Sequence, residues 1–199
     1  HVFVALCDNV NQGIVPVPQK LGNGQDAKNN LYWGALYGVK TFFKNDKDWM
    51  LVSSETNLKT DVLERVLFKH KTSNTYLLAD AYDGKYIKET TIAYIGHDGL
   101  MEFDVKGNFK PINNNKRDAI ILACISKRFF KSYIEVTKAN PLVWTTGLMA
   151  PEAYTLKWAI DGWILNETDE QIRERAAQAY NHYQKCGIKG ARGLLVTGY

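Results

Sequence analysis

The stretch Ala119-Ile120-Ile121-Leu122-Ala123 is apolar throughout, with no alternation of polar and apolar side chains. A strand with one wet face alternates, whereas one that is apolar at every position is covered on both faces, as in the parallel sheets of α/β proteins. Val2–Leu6 is a second run of this kind, and Pro141–Thr145 a third. With Trp49–Val52 and Ile92–Gly96 they are predicted to share one mostly parallel sheet. Helical patterns fall between them. Leu31–Phe43 carries Tyr32, Leu36, Val39 and Phe43 on one stripe, with Asn29 or Asn30 as its cap, and Gly34 and Gly38 four apart permit close backbone contact. Arg128–Val136 is a second helix. Strands alternating with helices predict an α/β fold with a mainly parallel sheet and helices on both faces.

The chain has 199 residues, which suits one domain, 1–199, with 151–199 as a helical extension packed on it. In that extension Pro151 fits a first helical turn, followed by Tyr154, Trp158, Ile160 and Ile164 at helical spacing. Thr168 and Gln171 form a capping box for a polar helix that runs to about Lys185 and is stopped by Gly187. Trp33, Trp49, Trp158 and Trp163 fall on apolar stripes and are predicted to be core. Val62–Phe68 and Thr75–Ala79 read as a hairpin turning at Lys71–Asn74. Tyr82–Glu89 has helical character but leaves hardly any room before the strand ending at Gly96, so either that helix is very short or a segment near 89–92 is missing from the chain. Asn11–Asn30 and Gly107–Lys116 are predicted surface loops, one of them bordering the site.

Composition narrows the function classes. The formal charge is +4, and no run of like charges exceeds a few residues. Lys127-Arg128 beside Phe129-Phe130 is better explained as a helix face, so nucleic acid is not an expected partner. Nothing approaches 18 consecutive apolar residues, so no membrane span is expected. Three cysteines, Cys7, Cys124 and Cys186, make no disulfide framework and have no zinc spacing. No phosphate-binding glycine motif or EF-hand appears, and neither a metal nor a cofactor is expected. The first residue is His1, which implies that a tag or a signal peptide was removed. A signal peptide favours export, to a periplasm or beyond, over the cytoplasm. The oligomeric state is left open.

In open α/β sheets, ligands bind beyond the carboxyl ends of the strands. Two such ends carry reactive side chains: Tyr94-Ile95-Gly96-His97-Asp98-Gly99 and Ile121-Leu122-Ala123-Cys124-Ile125-Ser126. A thiol acts as a nucleophile in its thiolate form, and a nearby imidazole can generate it or protonate the leaving group. This pattern of apolar strand, His and Gly, then apolar strand and Ala-Cys, resembles the caspase-like cysteine peptidases, in the style of the gingipains. Val143-Trp144-Thr145-Thr146-Gly147 sits where that superfamily places the strand after its cysteine. The resemblance covers Val2 to Gly147 as a pattern of elements. It implies a three-layer caspase-like sandwich and a cysteine endopeptidase acting on a peptide or protein substrate. His97 is then the general acid, Cys124 the nucleophile, and the backbone N–H groups of Gly99 and Cys124 the oxyanion hole. Trp144 and Thr145 would wall the pocket for the residue before the scissile bond.

One departure stands out: the family pattern has Gly directly after His, and here Asp98 intervenes. Its carboxylate either orients His97, blocks the site, or simply forms an Asp-Gly turn, which turn chemistry favours. Asp80 and Asp83 are further orienting candidates, Asp83 being better read as a helix cap. Cys7 reads as a buried thiol, and His70 and His182 as solvated. The alternatives to a thiol hydrolase are an inactive binding module on the same fold, or an unrelated α/β protein that takes a small polar ligand.

Overall fold

The computed structural model describes all residues except 57, 59–60, 86–92, 104, 106–114 and 116. The described residues fall into two compact units, His1–His97 with Pro151–Ala153, and Asp98–Ala150 with Tyr154–Tyr199.

In the first unit β1 (Val2–Ala5), β2 (Trp49–Thr56), β3 (Val62–His70), β4 (Tyr76–Tyr82) and β5 (Ala93–Gly96) hydrogen-bond in the order β2-β3-β4-β1-β5. The β4–β1 and β1–β5 pairs are parallel, while β2–β3 and β3–β4 are antiparallel. Trp49–Val52 is thus the start of an antiparallel edge strand, the exception that a mostly parallel sheet allows. The reason is chain length: a handful of residues separates β2 from β3 and β3 from β4, enough for a hairpin but not for a crossover. The Val62–Thr75 hairpin forms as predicted, with the His70 amide bonded to the Thr75 carbonyl at 2.9 Å. Tyr82 ends β4 rather than opening a helix, and Gly84 and Lys85 form a turn; residues 86–89 of that predicted helix, and Ile92, lie outside the described residues, as does most of Gly107–Lys116.

The predicted helix over Leu31–Phe43 is shorter, α1 spanning Val39–Asn45. Residues before it are wound into turns on Asn30, whose carbonyl accepts from the Gly34 and Ala35 amides at 3.1 and 3.0 Å. A Cβ on Gly34 would collide with the Lys28 carbonyl and one on Gly38 with the Trp33 backbone, so the pair serves the close packing its spacing suggested. Leu36 is left exposed, off the expected stripe. Phe43 packs on Trp49 and Phe68, with ring centroids 5.3 and 6.0 Å away. His70 is half-buried, its ring 5.1 Å from that of Trp49, rather than solvated.

In the second unit β6 (Asp118–Leu122) and β7 (Asn140–Thr145) are parallel, and β8 (Leu195–Val196) adds antiparallel to β7. Ala119 to Ala123 are all buried, as are Pro141 to Thr145, so both faces of these strands are covered, as the unbroken apolar runs require. Helices α2 (Ser126–Thr137) and α4 (Asp169–Gln184) pack on β7, and α4 and α5 (Ile188–Leu194) on β8. The chain is α/β, with parallel strand pairs in both units and helices packed on β2 and β3 in the first and on β7 and β8 in the second, consistent with a three-layer sandwich. Helix α3 (Ala153–Ile164) and α4 bear out the helical C-terminal third, and Thr168 and Gln171 make the predicted capping box. Two details differ. Lys185, itself left-handed, caps α4, and Gly187 instead opens α5. Trp163 is 45% exposed, not core, and donates to Asp118 Oδ2 at 2.9 Å.

The buried face of β3 contains one charge, Glu64, between Val62 and Val66. Trp33 Nε1 donates to it at 2.7 Å and Ser54 Oγ at 2.9 Å, and Lys40 Nζ makes a short ion pair. Burial alone would raise the carboxyl's pKa, but these bonds, that of Lys40 foremost, outweigh it and hold it below the usual 4.5. A depressed pKa contributes stability above pH 4.5 that is lost as the pH falls through the folded value. Glu64→Gln is therefore expected to lower stability at pH 7 by about 1–3 kcal/mol, with the gap to wild type narrowing as the pH falls below 4.5. Urea denaturation across the acid range up to pH 7 checks this, and a gap that does not narrow with falling pH would contradict it.

Candidate functional site

His97 stands immediately after β5 in the first unit. Gly96 before it has φ +140°, and a Cβ there would meet the Ala5 carbonyl oxygen at 2.5 Å. Only glycine takes this conformation readily. The Tyr94 hydroxyl donates a short bond to the His97 carbonyl, fixing the turn from within the strand, and His97 is 7% exposed.

The other carboxyl ends of this unit are built from polar side chains rather than left open. The Asn30 side chain pairs with Cys7 as a strand would, its Oδ1 accepting from the Cys7 amide at 3.0 Å and its Nδ2 donating to the Cys7 carbonyl at 2.8 Å. Asp8 accepts from the Val10 and Asn11 amides, and Gln25 Nε2 bridges Asp8 and Asp83 at 3.2 and 2.6 Å. Asp83 also accepts from the Lys85 amide at 2.9 Å. The stretch from Asp8 to Asn30 is thus a densely bonded surface loop. Cys7 is fully buried, and burial pushes its thiol up to about 11, which makes it inert at neutral pH. Asp80, also fully buried, accepts a two-pronged bond from Arg65 at 2.6 Å on each nitrogen and a third from His1 at 2.9 Å. These partners tie β3, β4 and the N-terminus together.

Cys124 lies in the second unit, in the two-residue link between Ala123 and α2. It is half-buried, with Sγ 3.7 Å from the Met149 carbonyl oxygen. The next residue, Ile125, has φ 51° and ψ 30°, a left-handed conformation that costs an L-residue about 1–2 kcal/mol and is rarest for β-branched side chains. Buried hydrogen bonds hold it there. The Thr145 hydroxyl donates a short bond to the Ala123 carbonyl and accepts from the Ser126 amide at 3.0 Å. Reciprocally, the Ser126 hydroxyl donates to the Ile121 carbonyl at 2.8 Å and accepts from the Thr145 amide at 2.9 Å. The Ile125 amide donates to the Gly147 carbonyl at 2.9 Å. Thr145 therefore faces this turn, and Trp144 is fully buried with Lys127 Nζ 5.4 Å from its ring centroid; neither side chain presents an exposed wall. Ser126 carried no assigned role in the sequence. The signal was there in a hydroxyl residue two positions past a strand-end cysteine, at the start of a helix.

Asp98 and Gly99 belong to the second unit as well. Asp98 is fully buried and caps a one-turn 3₁₀ helix, Gly99–Met101, its Oδ1 accepting from the Leu100 amide at 3.1 Å. This is the turn-forming role that its chemistry suggested. Among the described residues its Oδ2 has no hydrogen-bond partner, and burial, aided by the nearby Glu102 charge, pushes the carboxyl up to about 7. Among the described residues no group of three or more His, Cys, Asp or Glu side chains is placed to hold a metal ion, and no helix is long and apolar enough to cross a membrane. Two open grooves of about 530 and 580 Å³ lie along α4 beside Trp158, and neither is lined by Cys124 or its neighbours. Comparison with known proteins returns no matching family model, no matching curated protein and no matching solved structure.

A carboxyl raised from 3.8 to about 7 favours the folded chain while protonated, and that stability is lost as the pH rises from about 4 to 7. Asp98→Asn keeps the cap on Leu100 without the charge. It is expected to match wild type near pH 4 and to exceed it at pH 8, by up to about 4 kcal/mol. Thermal denaturation at the two pH values checks this; equal stabilities at pH 8 would show that burial does not raise the Asp98 carboxyl.

Proposed function

We propose that the chain is a thiol hydrolase of peptide bonds, with Cys124 as nucleophile and His97 as its acid–base partner. One observation carries the reading: the only half-buried thiol sits in a strained strand-to-helix link that a closed set of buried hydrogen bonds over-determines. Strain of this kind persists where the surroundings enforce it, and it gathers at reacting centres. A sharp link between strand and helix is also the way a nucleophile is lifted clear of a sheet. The thiol leads into the N-terminus of α2, where the aligned peptide dipoles favour negative charge. Of the other two cysteines, Cys7 is sealed and Cys186 is an exposed residue after α4.

The reaction runs as acyl transfer. The imidazole of His97 takes the thiol proton, and the Cys124 sulfur attacks the scissile carbonyl carbon. Collapse of the tetrahedral intermediate breaks the C–N bond as the imidazolium returns its proton to the leaving amine. Water, deprotonated by the same imidazole, then hydrolyses the thioester and releases the acid and the free thiol. Asp98, inserted after His97 and folded into its own turn, favours a second reading in which the chain binds peptides without cleaving them.

Incubation with a peptide mixture, read by mass spectrometry, separates the two. Cleavage is expected from wild type, absent in Cys124→Ala, and reduced at least about 100-fold in His97→Ala, with both variants folded by circular dichroism. If wild type cleaves nothing, the hydrolase reading fails and the binding module takes its place.

A further inference from the structure

We infer that Ser126 and Thr145 are positioning residues for Cys124: their reciprocal hydrogen bonds fix the link that presents the thiol, and so set its reactivity and not only the stability of the fold. The inference rests on Cys124 being the nucleophile. Both side chains are fully buried, so neither reaches a substrate, and any effect they have on the thiol passes through the backbone. The backbone groups they hold flank it: the carbonyls of Ile121 and Ala123 before it and the amide of Ser126 after it.

Each hydroxyl is used as both donor and acceptor, and the two lie 3.2 Å apart. A buried hydroxyl is costly unless bonded, and the space would pack more simply with Val and Ala. What an apolar pair cannot supply is a partner for the Ser126 amide. Helix α2 has no capping side chain of its own, because its N-cap is Ile125. Thr145 caps it from β7, 19 residues along the chain. That bond draws the start of α2 against the end of β7 and leaves Cys124 and Ile125 to span the gap from Ala123. The left-handed Ile125 follows from this short span, and with it the direction in which Cys124 projects. Freed from Thr145, Ile125 relaxes to negative φ and the thiol moves.

The test uses the full chain and its own reference thiol. Iodoacetamide labelling of Cys124 and Cys186 is followed in the same tube from pH 5 to 9 by peptide mass spectrometry, for wild type, Thr145→Val, Thr145→Ser and Ser126→Ala, each shown folded by circular dichroism. Thr145→Val and Ser126→Ala are expected to lower the Cys124-to-Cys186 rate ratio about tenfold and to shift the pH midpoint of Cys124 labelling. Thr145→Ser, which keeps the hydroxyl, restores both. An unchanged ratio and midpoint in folded Thr145→Val overturns the proposal and leaves the pair a role in stability alone. If Thr145→Val does not fold, the same null result in Ser126→Ala overturns it. A wild-type chain that cleaves no peptide, yet loses the ratio on Thr145→Val, refutes the hydrolase reading while retaining the positioning effect.

Discussion

The hydroxyl pair Ser126–Thr145 is the constraint on which the second unit's architecture turns. A parallel strand normally passes into its helix through a loop that absorbs the change of direction. Between β6 and α2 that loop is cut to three residues, and the geometry is recovered by side chains reaching across from β7. Because the pair is buried and each hydroxyl both donates and accepts, removing one strands the groups it served, at a cost of about 1–3 kcal/mol for each. The close approach of β6, β7 and α2 is therefore cooperative: the elements share one set of bonds and are held together or lost together.

The first unit solves a related problem with amides. After β1 the chain leaves the sheet, and Asn30 and Gln12 supply the partners that a neighbouring strand would otherwise give. Gln12 Nε2, for example, donates to the Leu6 and Gly84 carbonyls at 2.8 and 3.1 Å. A side-chain amide has two donors and an acceptor, enough to imitate a peptide unit. In both units, then, the ends of β1 and β6 are finished by hydrogen-bonded polar side chains. Such ends are rigid, which suits a site that must hold its geometry in the absence of substrate.

Much of this was legible in the sequence, for reasons that differ by element. The unbroken apolar run over Ala119–Ala123 announced a strand covered on both faces, because burial on two sides leaves no polar position. The capping box at Thr168 and Gln171 was legible because it is local. The antiparallel placement of Trp49–Val52 was readable only from the shortness of its connections, a feature that apolar pattern does not register. The curtailed α1 shows the reverse failure: the stripe Tyr32-Leu36-Val39-Phe43 has helical period, yet the Ala35 amide turns to the Asn30 carbonyl and the Val39 amide to that of Tyr32, so the helical ladder does not propagate before Val39. The Ser126–Thr145 pair was invisible as a pair, since two hydroxyl residues 19 positions apart carry no mark of their contact. The resemblance makes Thr145 a pocket wall, whereas its side chain points at the link.

Gly96 bears on how short motifs are weighed. It stands before His97 because the Ala5 carbonyl leaves no room for a side chain and the backbone is turned to positive φ. Its presence is dictated by β1, a strand that carries no reacting group. A chain of this fold that had lost all chemistry would still need glycine there, and one that replaced it would lose the strand end before it lost a proton donor. Of the two letters in Gly-His, the first is testimony about architecture, and a search that scores both as signs of catalysis counts the sheet twice.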